Sequence, residues 1–284
     1  MLDVRPIDLS PAGIEKSCRL LSIVYPDAHH LTPAYLDRMY NGNPEGPTLG
    51  FGGYDEGGQL IAHYLMIPIR ARVYGVEERG IWPFQLATHP GYRGKGLFTS
   101  MTEHSFDVGR EGGFGFFSGV GNAMSTPLFV GKWGYQNICQ LDVKVGVGPV
   151  PPSGGSDDID FVRLWNKESV AWRLALPGKP YRVEYRGRYG HLYAPTGKFG
   201  ISVEVGAFDR RLLPEDLPKS RSPNPLRLWI GVDNTRDWSR SLYFDVPERL
   251  RPSPLNLLWY DLTGQNRTFD LSRVRFDVFD FDAY

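Results

Sequence analysis

Thr88-His89-Pro90-Gly91-Tyr92-Arg93-Gly94-Lys95-Gly96-Leu97-Phe98 joins a strand-like run to a helix-like run through a turn suited to an anion. Residues 81–88 are apolar and β-rich, and residues 97–108 place Leu97, Met101 and Val108 on one helical stripe. The first N–H groups of such a helix lack intrahelical acceptors, and the helix dipole adds partial positive charge beside them. Gly94 and Gly96 let the backbone approach a pyrophosphate, and Arg93 and Lys95 supply local charge. Two glycines can also do no more than make the turn. The spacing lacks the third glycine of a dinucleotide fingerprint and the Gly-Lys-Ser/Thr of a Walker loop.

Upstream, Ser10 stands as a cap before a helix predicted over 11–24, and a second short helix is predicted over 34–40. Residues 49–54 and 60–69 read as strands of a hairpin around Asp55-Glu56-Gly57-Gly58. Downstream, 114–120 reads as a strand and 125–132 as a helix. Pro149, Pro151, Pro152, Ser153, Gly154, Gly155 and Ser156 then mark a break in composition. The expected organisation is a first domain over 1–147, a linker over 148–158 and a smaller α/β domain over 159–284. In the second part a helix is predicted over 160–174 and strands over 181–185, 191–194, 199–205, 226–232 and 255–261. The tail from 276 to 284 alternates phenylalanine with aspartate and reads as an edge strand. Trp165, Trp172, Trp229, Trp238 and Trp259 read as packing residues.

The chain has 284 residues, 41% hydrophobic and 23% charged, a balance that supports a sizeable core and argues against disorder. Lysine plus arginine equals aspartate plus glutamate at 32 each, so no global field favours nucleic acid or an anionic membrane. No apolar run is long enough to span a bilayer, and Asp3, Arg5, Pro6 and Asp8 interrupt any signal-like core. Cys18 and Cys139 have no metal-ligand spacing and are expected as reduced thiols in a cytoplasmic protein. No metal site is expected.

The string from Leu86 to Phe98 resembles the acyl-CoA motif of the GNAT acyltransferases, Q/R-x-x-G-x-G/A after the fourth strand. Gly94 and Gly96 match its glycines, while Gly91 stands where that pattern has Gln or Arg. Phe114 to Gly119, Asn122, the helix over 125–132 and Trp133-Gly134-Tyr135 resemble the strand, Asn, helix and Gly-aromatic close of the same fold. Tyr40-Asn41-Gly42-Asn43-Pro44-Glu45-Gly46-Pro47, with Trp172-Arg173 and Pro177 to Tyr181, resembles segments of two-domain bacterial members, among them sugar N-acyltransferases. The resemblance implies an α/β (α+β) GNAT fold with a mixed, mostly antiparallel central sheet and a second domain that could be a degenerate copy.

It also implies an acyl-CoA-dependent N-acyltransferase acting on a small-molecule amine, an amino group on a nucleotide-linked sugar being the leading analogy. Acetyl-CoA or another acyl-CoA is the implied co-substrate, held by Leu86, Ala87, Thr88, Tyr92, Arg93, Gly94, Lys95, Gly96, Leu97, Phe98, Asn122 and Phe129. Asn122, Gln85 and Ser125 are the candidate catalytic residues. His29, His30, His63 and His89 are weaker candidates for the base that takes the amine's proton. The tyrosine that such enzymes commonly use to protonate the leaving thiolate is replaced by Leu128-Phe129-Val130. That departure keeps open a catalytically silent acyl-CoA-binding module. A third reading, transfer from aminoacyl-tRNA, is disfavoured by the neutral charge. Neither nucleic acid nor membrane is an expected partner, and the expected state is monomer or homodimer.

Overall fold

The computed structural model describes residues 2–154, 158–197, 200–219, 225–251 and 253–281. In chain order the elements are β1 (Asp3–Pro6), α1 (Pro11–Val24), α2 (Pro33–Asn41), β2 (Leu49–Tyr54), β3 (Leu60–Val73), β4 (Val76–Thr88), α3 (Leu97–Glu111), β5 (Phe116–Gly121), α4 (Thr126–Trp133), β6 (Gln136–Gln140) and β7 (Asp142–Val147). There follow β8 (Phe161–Leu164), α5 (Lys167–Leu174), β9 (Arg182–Arg186), β10 (Tyr189–Pro195), β11 (Ser202–Asp209), β12 (Leu226–Asp233), β13 (Leu242–Asp245), β14 (Asn256–Asp261) and β15 (Val274–Asp277). This is an α+β fold. Ser10 and Thr32 start α1 and α2 by accepting from the Gly13 and Tyr35 N–H groups, with Pro11 and Pro33 at the first helical positions.

One mixed sheet runs through the molecule in the order β6-β14-β5-β4-β3-β8-β15-β12-β11-β10-β9. Among the described residues the parallel strand pairs are β4 with β5, β8 with β15 and β11 with β12, and an isolated bridge from Val183 to Lys219 is also parallel. The alternation of β3 explains the layers. Leu65, Ile67 and Ile69 join the core under α1 and α2, whereas Ala62, Tyr64 and Met66 join Leu97 and Met101 of α3 and Phe129 of α4 on the other face. Buried on both faces from Leu60 to Ile69, β3 is apolar there apart from His63, and only Arg70 and Arg72 near its end are exposed.

The second half repeats the strand order of the first. The meander β2-β3-β4 leads to β5 parallel to β4, and the meander β9-β10-β11 leads to β12 parallel to β11. A short 3-10 turn follows the third strand of each meander, capped by His89 in one case and Asp209 in the other. In the second half no helix like α3 appears among the described residues before β12.

The two halves share hydrogen bonds rather than a simple seam. β8 pairs with β3, and β14, from near the end of the chain, lies between β5 and β6. Residues 148–154 of the expected linker pack against the second half: Val150 is buried with Trp229 and Tyr243, and the Ser153 hydroxyl donates to Asp233 at 2.6 Å. Residues 155–157 of that linker lie outside the described residues.

Two local expectations are corrected. The helix predicted over 160–174 is instead β8 followed by α5. Apolar Phe161 and Val162 fill a slot beside β3, and an Asn166–Ser169 capping box starts the helix only at Lys167. The tail is not an edge strand: β15 lies between β8 and β12, and Asp277 caps a 3-10 turn over 278–280. Asp277 accepts from the Phe279 N–H at 3.1 Å, and Asp280 accepts from the Asp277 N–H at 2.9 Å and from the distant Trp165 indole at 2.8 Å. Residues 282–284 of that call and Phe199, at the start of the strand predicted over 199–205, lie outside the described residues.

Candidate acyl-CoA site

Strands β4 and β5 meet only at Gly80 with Phe116 and Ile81 with Phe117. Beyond that point β5 pairs with β14 alone, and a wedge opens between the two parallel strands. A cavity of about 50 Å³ there is lined by Pro83, Leu86, Gly119, Ser125, Phe129 and Tyr135, among others. Beside it a larger cavity of about 280 Å³ is lined by Trp82, Phe84, Gln85, Asn122, Leu255 and Phe281, among others. Two of these walls come from the C-terminal part of the chain.

A bulge in β4 shapes the wedge. His63 pairs with Ala87 but Leu65 with Phe84, so β4 carries one extra residue. Gln85 takes the strain with φ +49°, rare for a non-glycine residue. Two tyrosines hold the distortion: Tyr40 donates to Gln85 Oε1 at 2.6 Å, and Tyr25 donates to the Leu86 carbonyl at 2.7 Å. Gln85 Nε2 is buried with no acceptor among the described residues. Neither role was legible in the sequence, where Tyr40 stands out only as the first residue of the 40–47 segment and Tyr25 not at all. Tyr40 lies 45 residues from its partner and no spacing signal links them.

At the end of β4, His89 Nδ1 accepts from the Gly91 N–H and closes the 3-10 turn over 90–92. Gly94 and Gly96 follow at φ +76° and +79°, and a Cβ on either would meet no atom within 4 Å. Both sit in the left-handed region over open space, so the turn leaves room for a ligand as well as requiring glycine. Helix α3 begins at Leu97 with no acidic residue in its first turn, and its first backbone bond runs from the Ser100 N–H to the Gly96 carbonyl. The N–H groups from Gly94 to Thr99 therefore have no acceptor among the described residues. They open into a groove of about 350 Å³ lined by Thr88, Tyr92, Arg93, Gly94, Lys95, Gly96, Leu97, Phe98, Thr99 and Leu128. Tyr92 pins the turn to the β2–β3 hairpin by donating to Asp55 at 3.0 Å, and the Lys95 ammonium sits 4.8 Å from the centre of its ring.

The candidate catalytic residues divide. Gln85 and Asn122 border the larger cavity and Ser125 the smaller. Asn122 Oδ1 accepts from the Met124 and Ser125 N–H groups, each at 2.9 Å, and from the Ser125 hydroxyl at 3.2 Å. Ser125 Oγ in turn accepts from the Asn122 N–H at 3.0 Å. This reciprocal pair shapes the entry to α4. Leu255, Leu258 and Phe281 complete the walls of the wedge and were not anticipated, since only the topology brings them there. The Asn43-Pro44 segment is a brace: Asn43 donates to the Pro68 carbonyl at 2.9 Å, and Glu45 pairs with Arg70 at 2.6 Å.

His63 is sealed in the core with no partner for either ring nitrogen among the described residues. Burial pushes its imidazolium from 6.5 down to about 3, so it is neutral near pH 7 and out of reach of a substrate. The unfolded chain protonates this group below about 6.5, so its contribution to stability is complete above that pH and is lost as pH falls towards 3. At pH 5 the loss is about 2 kcal/mol. Denaturant titrations should therefore show a flatter acid limb between pH 6.5 and 5 in His63→Leu than in the wild type; identical limbs would contradict the assignment.

Cys18 and Cys139 are free. Among the described residues no group of His, Cys, Asp and Glu could hold a metal ion, and no helix is long and apolar enough to cross a membrane.

Residues 8–138 match the family described as an acetyltransferase (GNAT) domain. No curated protein matches the chain in sequence. Among solved structures, a conserved protein of unknown function from Enterococcus faecalis, described as a probable N-acyltransferase, superposes with TM-score 0.61 at 11% identity over 92% of this chain and 72% of its own. A GCN5-related N-acetyltransferase from Anabaena variabilis gives 0.62 at 10% identity over 92% of this chain and 73% of its own. One from Kribbella flavida gives 0.59 at 12% identity over 91% and 71%. The fold is that of GNAT proteins along nearly the whole chain, and the match to the acetyltransferase (GNAT) domain family lies within its first half.

Proposed function

We propose that the chain is an acyl-CoA-dependent N-acyltransferase that passes an acetyl or other short acyl group to an amine of a small molecule. The observation that carries this reading is the continuity of the site: unpaired N–H groups from Gly94 to Thr99 lead along the free edge of β4 into the wedge beside β5. A pyrophosphate suits the turn, with Arg93 and Lys95 adding charge. Leu86, Ala87 and Thr88 would flank the extended arm, and Phe129 would pack beside it. The acyl group would then sit in the wedge, with Gln85, Asn122, Leu255 and Phe281 facing the acceptor.

In this reaction the neutral amine attacks the thioester carbon, a C–N bond forms and the C–S bond breaks. The amine gives up a proton and the departing thiolate gains one. Helix α4 offers Leu128, Phe129 and Val130 where a hydroxyl donor would stand, so Ser125, Asn122 or a water would take that place, or the thiolate, with an ordinary pKa of about 8.5, would leave without specific help. An amino group on a nucleotide-linked sugar is the leading acceptor class.

The missing donor and the mutual engagement of Asn122 and Ser125 also favour a second reading, a silent module that binds acyl-CoA without turnover. Thiol release from acetyl-CoA, measured against a panel of amino sugars, nucleotide-linked amino sugars and simple amines, separates the two. The expected result is release that depends on one acceptor class. Saturable acetyl-CoA binding with no release on any amine would reject the transferase and leave the module.

A further inference from the structure

Gln85 is held in a conformation that its own chemistry disfavours. Among the described residues three non-glycine residues have positive φ; Tyr74 and Asn266 lie between elements, whereas Gln85, at φ +49°, lies inside β4. Its side chain adds a second cost, because Nε2 is buried with no acceptor among the described residues while Oε1 accepts from Tyr40 at 2.6 Å. Strain and an orphaned donor on one strand residue mark a geometry kept for a function.

The hydroxyl that holds Gln85 comes from a fixed post. Tyr40 stands in the last turn of α2 with 0% exposure; its ring meets Phe84 edge-on at 5.9 Å, and its carbonyl accepts from the Thr48 N–H at 3.1 Å. Neither contact involves the hydroxyl. The extra residue of a bulge drops out of its ladder, and on the other side β5 has already parted from β4 beyond Ile81. Backbone groups freed at Gln85 and Leu86 therefore have no neighbouring strand to pair with, and the Leu86 carbonyl takes the Tyr25 hydroxyl instead. Leu86 lines the smaller cavity of the wedge and Gln85 the larger.

We propose that Tyr40 is a positioning residue for the acyl group: its hydroxyl holds Gln85 left-handed, and the bulge so fixed aims the backbone N–H groups of Gln85 and Leu86 at the acyl carbonyl of bound acyl-CoA. This rests on the acyl-CoA reading of the wedge. Gln85 then acts through its backbone, and its side chain is the handle by which α2 grips β4. Without the hydroxyl both ends of the amide are orphaned and the left-handed strain is unopposed, so the residue relaxes to extended backbone and the N–H groups turn away. The glycine turn, held by His89 on Gly91 and by Tyr92 on Asp55, does not depend on this grip.

Infrared difference spectroscopy of acetyl-CoA isotopically labelled at its carbonyl carbon and bound to the full chain tests this, with calorimetric titration of CoA alongside. In the wild type the carbonyl stretch is expected at lower wavenumber than for acetyl-CoA in solution, the sign of hydrogen bonds donated to it. Tyr40→Phe keeps the ring and should lose that shift, while its Kd for CoA, which has no acyl carbonyl, stays within about twofold of wild type. Adding Gln85→Gly should restore the shift, because glycine takes φ +49° without a strap and leaves no amide to satisfy. Adding Gln85→Ala should not, since alanine keeps the left-handed penalty. A shift that survives in Tyr40→Phe, that glycine fails to restore or that alanine restores as well would overturn the role of Tyr40, as would a wild type that binds acetyl-CoA with no shift. A wild type that binds neither CoA nor acetyl-CoA would overturn the acyl-CoA reading itself, and the proposal with it.

Discussion

Gly94→Glu and Gly96→Glu should each weaken acetyl-CoA binding by more than about a hundredfold, a loss of at least about 2.7 kcal/mol. Each side chain would project into the open groove bounded by the free N–H groups and bring a carboxylate to the place proposed for the pyrophosphate. Alanine at the same positions shares the backbone strain of φ +76° or +79°, about 1–2 kcal/mol, but adds no charge and meets no neighbour within 4 Å. The gap between the alanine and glutamate variants therefore isolates occupation of the cradle from distortion of the turn. Calorimetric titration of all four variants measures it. Equal affinities for alanine and glutamate would mean that the anion binds elsewhere.

Trp259→Ala should cost about 3–5 kcal/mol of stability and lower the melting temperature by roughly 10 °C. The indole is 1% exposed, stacks on Phe116 at 4.5 Å between ring centres, and touches Phe161 and Phe269 at 5.3 and 4.6 Å. It stands on β14, whose bonds to β5 and β6 support one wall of the wedge. Because those partners lie in the first 147 residues, a fragment ending there would leave β5 and β6 unpaired with each other and is expected to aggregate. Thermal unfolding of the variant that stays within about 1 kcal/mol of wild type would contradict this account of the core.

How much of this was written in the sequence depends on the range of the interaction concerned. Helix α1 and strand β2 were read to the residue, because Ser10 with Pro11 and the Asp55-to-Gly58 turn are local signals. The glycine turn was equally legible, since its demand for left-handed backbone falls on two glycines only two positions apart. Strand β8 was misread because the apolar run before Asn166 has no period that separates helix from strand, and its slot beside β3 exists only in three dimensions. Strand β14 was placed as a strand, but its insertion beside β5 was invisible: more than 130 residues separate the partners. The Tyr40–Gln85 bond and the Phe281 wall escaped notice for the same reason. Asn122 and Ser125 were singled out for position, and the structure shows that much of their polarity is spent on each other.

The most direct test of the acyl-CoA site is a crystal structure of the full chain with CoA. The pyrophosphate is expected on the N–H groups between Gly94 and Thr99, with the thiol end in the wedge between β4 and β5 near Leu86 and Phe129. CoA ordered at any other surface, or a glycine turn left empty at saturating CoA, would contradict it.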